Sequence, residues 1–295
     1  MKFSIIYLNR RKKCQKELDI KVKRNFQKNL VSQEKENLIL TKKRRCNLTN
    51  IALTQLIAYK EHYMHKSILV ISDLHIPYHH KDSLEFLKEI KKEFKPDTIV
   101  NIGDLLDFHA INMHTHDPDL YSAGMELDKS KEYIKQLESI FPKMVEVESN
   151  HSSLVYRRAL KYGMSRKFLR DYGDFLGTKK WKWVDDLTLT MSNGQRCFFT
   201  HGRSADILKV SQTMGMSAVQ GHYHTKFLIS YWANPDNLFF AMNVGCLAAR
   251  KHMAFAYAKN FRTRFIMGSA VILNGIPRLL PMVLNSKGKW IGKIV

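Results

Sequence analysis

The chain has 295 residues, of which 44% are apolar and 25% charged, so it is long enough for one large or two small hydrophobic cores and typical of a globular protein. Its net charge of +21 predicts attraction to polyanions such as nucleic acid, and it says nothing about the fold. No stretch approaches the ~20 apolar residues of a membrane span, and the basic residues follow rather than precede the apolar run 3–8. We therefore expect no signal peptide and no membrane association, and predict a cytoplasmic protein.

The N-terminal segment is strongly basic. Residues 1–66 contain 17 Lys/Arg and 5 Asp/Glu, and only Leu48–Tyr63 offers a continuous apolar helical face. We predict that residues 1–65 are a basic extension, partly helical or disordered, and that residues 66–295 form the folded domain. The segment fits a nucleic-acid-binding appendage or a flexible tail. A third alternative is that translation starts at Met64, directly before the first predicted core strand.

From residue 66 onward, short apolar runs alternate with helical patterns. Helices are predicted at Ser83–Phe94, with Asp82 and Glu85 as a capping box, and at Leu127–Phe141. This alternation indicates an α/β fold with helices on the faces of a sheet. Buried strands are predicted at Ile68–Ile71, Thr98–Ile102, Met144–Val147, Cys197–Thr200, Ala218–Gln220, Leu238–Asn243 and Ala270–Leu273.

Polar side chains follow five of these predicted strands at the point where each strand ends. In open α/β sheets, sites form at the carboxyl ends of strands, so we expect these side chains to lie close together. Carboxylates and neutral imidazoles suit divalent ions such as Mn²⁺, Fe²⁺ or Zn²⁺, and one carboxylate can bridge two ions. The side chains are Asp73, His75, Asp104, Asp107, Asn150, His151, His201, His222 and His224.

These residues occur in a recognisable order. The order is Asp73-x-His75, Gly103-Asp104-x-x-Asp107, Asn150-His151, His201 and Gly221-His222-x-His224. The pattern resembles that of the calcineurin-like metallophosphoesterases from about Ser67 to beyond Gly245. The resemblance implies a central β-sandwich flanked by helices, with two metal ions at one edge, and it marks residues 66–295 as the metallophosphoesterase domain.

The resemblance also assigns roles to individual residues. It implies that Asp104 bridges the ions, that Asp107 fixes its loop and that His151 donates a proton. The implied cofactors are two divalent ions, Mn²⁺ first, with Fe, Zn, Ni or Mg as alternatives. The implied ligands of the first ion are Asp73, His75, Asp104 and His224, and those of the second are Asp104, Asn150, His201 and His222.

The sequence departs from the family pattern at Ser152, where the family usually has Asp or Glu. Without this carboxylate we expect His151 to be held less readily as a cation, which affects the rate more than the reaction class. Two ions together lower the pKa of a water and stabilise charge on the phosphoryl group, so the implied reaction is hydrolysis of a phosphate ester.

The sequence says less about the substrate. Candidate phosphate contacts are Arg157, Arg158 and Arg203. Trp181 and Trp183 lie among lysines, and this run fits either stacking on a nucleobase or a β-hairpin that packs its tryptophans inward. The net charge favours a nucleic-acid phosphodiesterase. The alternatives are a phosphatase acting on nucleotides or phosphoproteins, and a non-catalytic nucleic-acid-binding protein with a lapsed site.

Overall fold

The computed structural model describes residues 64–112, 119–249 and 264–295. The predicted basic extension lies outside these residues except for Met64 and His65, which form a two-residue strand. Among the helices of the described ranges, none combines the length and apolar content needed to cross a membrane.

Twelve strands and five α-helices make up the described residues. The strands are β1 Met64–His65, β2 Ser67–Ile71, β3 Thr98–Asn101, β4 Val145–Val147, β5 Lys182–Val184, β6 Leu187–Met191, β7 Arg196–Thr200, β8 Ser217–Gln220, β9 Phe227–Ala233, β10 Leu238–Val244, β11 Gly268–Leu273 and β12 Ile276–Pro281. The helices are α1 Ser83–Phe94, α2 Ala123–Ile140, α3 Leu154–Lys161, α4 Tyr172–Leu176 and α5 Ile207–Met214. Short 3₁₀ turns lie at His109–Ile111 and Arg166–Phe168.

The strands form two mixed six-stranded sheets. The first has the order β1-β6-β7-β8-β10-β9 and the second the order β12-β11-β2-β3-β4-β5. In the second sheet β2, β3, β4 and β5 are parallel neighbours, and in the first sheet β7, β8 and β10 are parallel. The carboxyl ends of parallel neighbours open at the same sheet edge, so the loops after them are brought together.

Three apolar clusters join the layers. The central one is sandwiched between the sheets and contains Val70 and Val100 from one sheet and Phe199 and Met242 from the other. A second packs α1 and α2 against the outer face of the β2 sheet, and a third packs α5 against β7, β8 and β10. The result is a β-sandwich flanked by helices, as the sequence predicted.

Local predictions fared unevenly. Helix α1 has the predicted bounds, but the predicted capping box is wrong. The side chain of Asp82 accepts no bond from its own helix and instead accepts one from the backbone N–H of Trp290. The predicted hairpin around Trp181 and Trp183 is also wrong, because β5 pairs in parallel with β4. Both indole rings nevertheless pack inward, in the cluster beneath α1 and α2.

Candidate metal centre

At the edge where the parallel strands end, backbone hydrogen bonds connect the loops that follow them. The N–H of Asp73 donates to the carbonyl of Gly103 at 3.1 Å, and that of His75 to the carbonyl of Asp104 at 2.8 Å. In the other sheet the N–H of Gly221 donates to the carbonyl of His201 at 2.8 Å. The Asp73 carboxylate joins the two sheets, since its Oδ2 accepts from the N–H of His222 at 3.0 Å. Positions far apart in sequence are therefore fixed relative to one another.

Three groups of donor atoms converge at this edge of the sandwich: two of them share Asp104, and the third is His75, Asp107 and His151. Within each group the donor atoms lie within 4.8 Å of one another. A carboxylate common to two of the groups is placed as a bridge between two ions would be. The first group is Asp73, His75, Asp104 and His224, and the second is Asp104, His201 and His222.

Asn150, the remaining predicted ligand, is exposed and lines the same cavity as His201 and His222. Asn150 therefore lies on the solvent side of the second group. The structure thus brings the predicted ligands to one edge of the sandwich, six of them in the two donor groups and Asn150 beside the second; that they bind metal stays a prediction.

Hydrogen bonds behind the rings orient two of the imidazoles. Nδ1 of His75 lies 2.6 Å from the Asp107 carboxylate, and Nδ1 of His201 lies 2.9 Å from the carbonyl oxygen of Ile102. In the neutral ring that binds a metal, an acceptor at Nδ1 keeps the proton on that nitrogen and leaves Nε2 with a lone pair. Nε2 is the atom that faces Asp104 in both rings, at 3.5 Å from His75 and 3.1 Å from His201.

The pKa values of the buried carboxyl and imidazole groups indicate a site that favours bound positive charge. Burial opposes ionisation of Asp73 and Asp104, but the surrounding histidines outweigh it and hold the pKa of each carboxyl well below its ordinary value. Burial likewise opposes protonation of His75, yet Asp107 and the other carboxylates raise its pKa to about 10, and Asp104 raises that of His201 to about 9. Buried carboxylates that attract protons onto imidazoles in this way fit a site for divalent cations.

The backbone at the centre is strained. A positive φ is costly for a residue with a side chain, and such strain concentrates at functional sites. Gly103 has φ 105°, and a Cβ there would lie 2.6 Å from Nδ1 of His201, so only glycine fits between the loops. Four of the predicted ligands have φ between 49° and 65°, namely Asp73, His75, Asp104 and His222.

His151 lies at the rim of the centre and is only partly buried. Its N–H donates to Asp104 at 3.2 Å, and its Nδ1 contacts the carbonyl oxygen of Asp107. The Asp107 carboxylate is a further 3.7 Å neighbour of the same nitrogen. Asp107 therefore places two oxygens beside Nδ1 of His151, although position 152 lacks the acid that is usual in the family. Ser152 is instead buried, and its hydroxyl accepts from the N–H of Ser149 at 2.8 Å.

Of the three arginines predicted to contact phosphate, two line a cavity beside the second donor group and one does not. A cavity of about 450 Å³ beside the second donor group is lined by Arg157 and Arg203. Arg157 also donates to the carbonyl of Asn150 at 2.7 Å, and Arg203 pairs with Asp186. Arg158 does not line this cavity, because its guanidinium donates to the carbonyls of residues 111 and 112.

Sequence reasoning missed several supporting residues. The hydroxyl of Ser72 donates to Asp73, and that of Tyr172 donates to the carbonyl of Ser152. Glu126 on α2 accepts from the N–H groups of His109 and Ala110, which fixes the loop after Asp107. Ser72 could have been found from its position beside a predicted ligand. Nothing in the local sequence around Tyr172 or Glu126 points to the site, because their contacts are made across the fold.

Comparison with known proteins agrees with this geometry. Residues 66–252 match the model of the calcineurin-like phosphoesterase family. No protein with a curated description matches the sequence significantly.

Several solved structures are similar to the chain at low identity. Vacuolar protein sorting 29 from Cryptosporidium parvum is 14% identical, with a TM-score of 0.43 over 79% of this chain and 95% of that one. The phosphoesterase YfcE from E. coli is 15% identical, with a TM-score of 0.39 over 78% and 98%. The nuclease MPE from Pseudomonas putida is 15% identical, with a TM-score of 0.34 over 72% and 86%. At such similarity nothing about the substrate follows from these structures.

The family match covers more than half of the chain, and it includes every residue of the two donor groups. The chain therefore belongs to the calcineurin-like phosphoesterases, a family of metal-dependent hydrolases of phosphoric esters.

Proposed function

We propose that the protein is a phosphodiesterase that cleaves nucleic acid with the help of two divalent metal ions, Mn²⁺ foremost. The observation that carries the proposal is the pair of donor groups sharing Asp104, next to a cavity flanked by two arginines. Bound ions would supply Lewis acidity to a phosphoryl oxygen and an activated water. Their ligands would be the seven residues named by the sequence.

The protein's own groups have distinct tasks in this reaction. Arg157 and Arg203 contact the phosphate that enters the cavity, because guanidinium groups match phosphate oxygens in charge and geometry. His151 holds a proton for the leaving oxygen. Its Nδ1 is engaged by Asp107, so Nε2 is the nitrogen available for proton transfer.

The surface after α3 supports a nucleic-acid substrate. The segment after α3 exposes Tyr162 and Phe168, which are 75% and 79% accessible, among the basic residues Lys161, Arg166 and Lys167. Exposed rings interleaved with cations are typical of surfaces that bind single-stranded nucleic acid, because rings stack on bases while cations contact phosphates. The net charge of +21 adds long-range attraction to the same polyanion.

One activity screen tests the proposal. The purified, Mn²⁺-loaded protein is assayed on single- and double-stranded DNA, on RNA, on bis-p-nitrophenyl phosphate and on p-nitrophenyl phosphate. We expect hydrolysis of the diesters and of at least one polymer, with little release from the monoester. Hydrolysis of the monoester without any cleavage of polymer would refute the proposal in favour of a phosphatase, and absence of all turnover would favour the lapsed site.

A further inference from the structure

A second cavity, of about 600 Å³, lies beside the phosphate cavity. Glu148 and Asp185 line both cavities, so the two adjoin at these residues. We propose that this aromatic cavity, whose rings are Tyr156, Tyr172, Trp181 and Trp183, binds the base of the nucleotide whose phosphate lies next to the metal centre. The base is one that carries an amino group. The inference rests on the proposed nucleic-acid activity and specifies how that substrate is recognised.

The rings form two stacking surfaces. Tyr172 and Trp183 are stacked, with centroids 4.5 Å apart and planes 24° from parallel. The guanidinium carbon of Arg166 lies 4.3 Å from the ring centroid of Tyr156, and the Arg166 side chain is 63% exposed. Tyr156 and Tyr172 are themselves buried, so the half-buried Trp183 ring and the exposed Arg166 guanidinium are the groups on which a flat heterocycle can stack.

The polar groups of the cavity suit the amino group of a base. Four carboxylates line it against the two cations Arg166 and Lys179. Carboxylates accept hydrogen bonds from the amino groups of adenine, cytosine and guanine. The carboxylates are Glu148, Asp171, Asp174 and Asp185.

One buried donor in the wall also calls for a ligand. Nε1 of Trp183 is buried and, in the part of the chain that the structure describes, has no hydrogen-bond partner. A buried N–H without an acceptor is costly, and a ring nitrogen or carbonyl of a bound base is a group that would satisfy it. Trp181 has no such need, since its Nε1 donates to the carbonyl of Phe141 at 2.9 Å.

The cavity is also tied to the catalytic loop. The hydroxyl of Tyr172 donates to the carbonyl of Ser152, the residue after His151. A base stacked near Tyr172 therefore lies against the element that carries the proposed proton donor. This connection places the base and the scissile phosphate of one nucleotide in adjoining cavities.

Equilibrium binding to the full-length, Mn²⁺-loaded protein tests the inference. The affinities of AMP, UMP and ribose 5-phosphate are measured by calorimetry. We expect AMP to bind about ten-fold or more tightly than ribose 5-phosphate, because stacking stabilises each bound base, and more tightly than UMP, whose base has no amino group. Arg166→Ala, at an exposed position, and Trp183→Phe, which keeps a ring but removes the N–H, should each lower the preference for AMP several-fold.

A control is available on α2. Lys135 is exposed and does not line the cavity, so Lys135→Ala should leave the preference unchanged. Equal wild-type affinity for AMP and ribose 5-phosphate, equal affinity for AMP and UMP, or an undiminished preference in both cavity variants would overturn the inference. Base-dependent binding without diester cleavage would sink only the proposed activity, whereas cleavage without base-dependent binding would sink only the base pocket.

Discussion

Asp104 is the residue on which the proposed centre depends most. Its Oδ2 is within 3.5 Å of Nε2 of His75 and 3.1 Å of Nε2 of His201, and its Oδ1 accepts from the N–H of His151. No other side chain belongs to both the first and the second donor group. Removing its charge therefore weakens both ion sites together.

We predict that Asp104→Asn abolishes turnover and reduces the number of metal ions bound per chain to fewer than two. Metal content by mass spectrometry and diester hydrolysis provide the measurements. Asp128→Asn, at an exposed position of α2, is the charge-matched control and should change neither. If the Asp104 variant keeps both ions and the wild-type rate, the bridging assignment is wrong.

His151 offers the converse test, because it is proposed to move a proton and not to hold metal. We predict that His151→Asn leaves metal content unchanged and lowers turnover about 10²-fold or more, as is typical when a general acid is lost. The control is His65→Asn on β1, an edge strand of the first sheet, and this replacement should not lower turnover. Loss of metal in the His151 variant would reassign this side chain as a ligand.

The sequence could identify these residues but not how they are supported. Asp-x-His and His-x-His spacings after predicted strands placed the donors at one edge. The role of Asp107 beneath both His75 and His151 required the fold, because the contacting residues are 32 and 44 positions apart. Local sequence likewise does not show that Asp107 contacts His151, and the expected effect of Ser152 on the rate stays a prediction.

Among the secondary elements, β4 is unusual because it contains a buried carboxyl group. Glu146 is fully buried in its middle and faces Asn101 on β3 in register. Burial raises the pKa of the Glu146 carboxyl well above its ordinary value of 4.5, and the Asn101 amide offsets only part of this. The folded protein therefore binds a proton at Glu146 more tightly than the unfolded chain does.

Because the pKa of Glu146 is raised on folding, the free energy of unfolding decreases as the pH rises. Below the unfolded value the contribution of Glu146 to stability is complete, and it is lost as the pH rises toward the folded value, by up to about 1.4 kcal/mol per pH unit. Gln is neutral at every pH. We therefore predict that the free energy of unfolding of Glu146→Gln, relative to that of the wild type, is more favourable at pH 8 than at pH 5. Urea unfolding at both pH values measures the difference, and an identical pH dependence in the two proteins would contradict the prediction.

Element boundaries were predictable where local signals decide them. The apolar face of α1 set its bounds, whereas α2 begins four residues earlier than predicted because Ser122 caps it, accepting from the N–H of Met125. The strands β1, β6, β9 and β12 were not predicted. β1, β9 and β12 lie at sheet edges, and β6 has only the two-residue β1 on one side, so half-exposed residues dilute the apolar pattern.

At the scale of the whole molecule, charge is distributed unevenly along the chain. Residues 1–66 carry a net charge of about +12, so the remainder carries about +9. Every proposed ligand lies after residue 72, which separates this basic segment from the chemistry. We propose that the segment anchors the protein to nucleic acid, since Lys and Arg side chains release condensed counterions when they bind phosphates.

Deleting residues 1–63 tests the anchor. We predict weaker binding to DNA or RNA and a shallower dependence of affinity on salt concentration, because fewer counterions are released on binding. Hydrolysis of bis-p-nitrophenyl phosphate should persist, since this small ester needs only the centre between the sheets. Titrations at several salt concentrations measure the slope, with the full-length protein as reference. If affinity and slope are unchanged by the deletion, the anchor does not exist, and attraction to nucleic acid arises from the phosphoesterase domain's own charge of about +9.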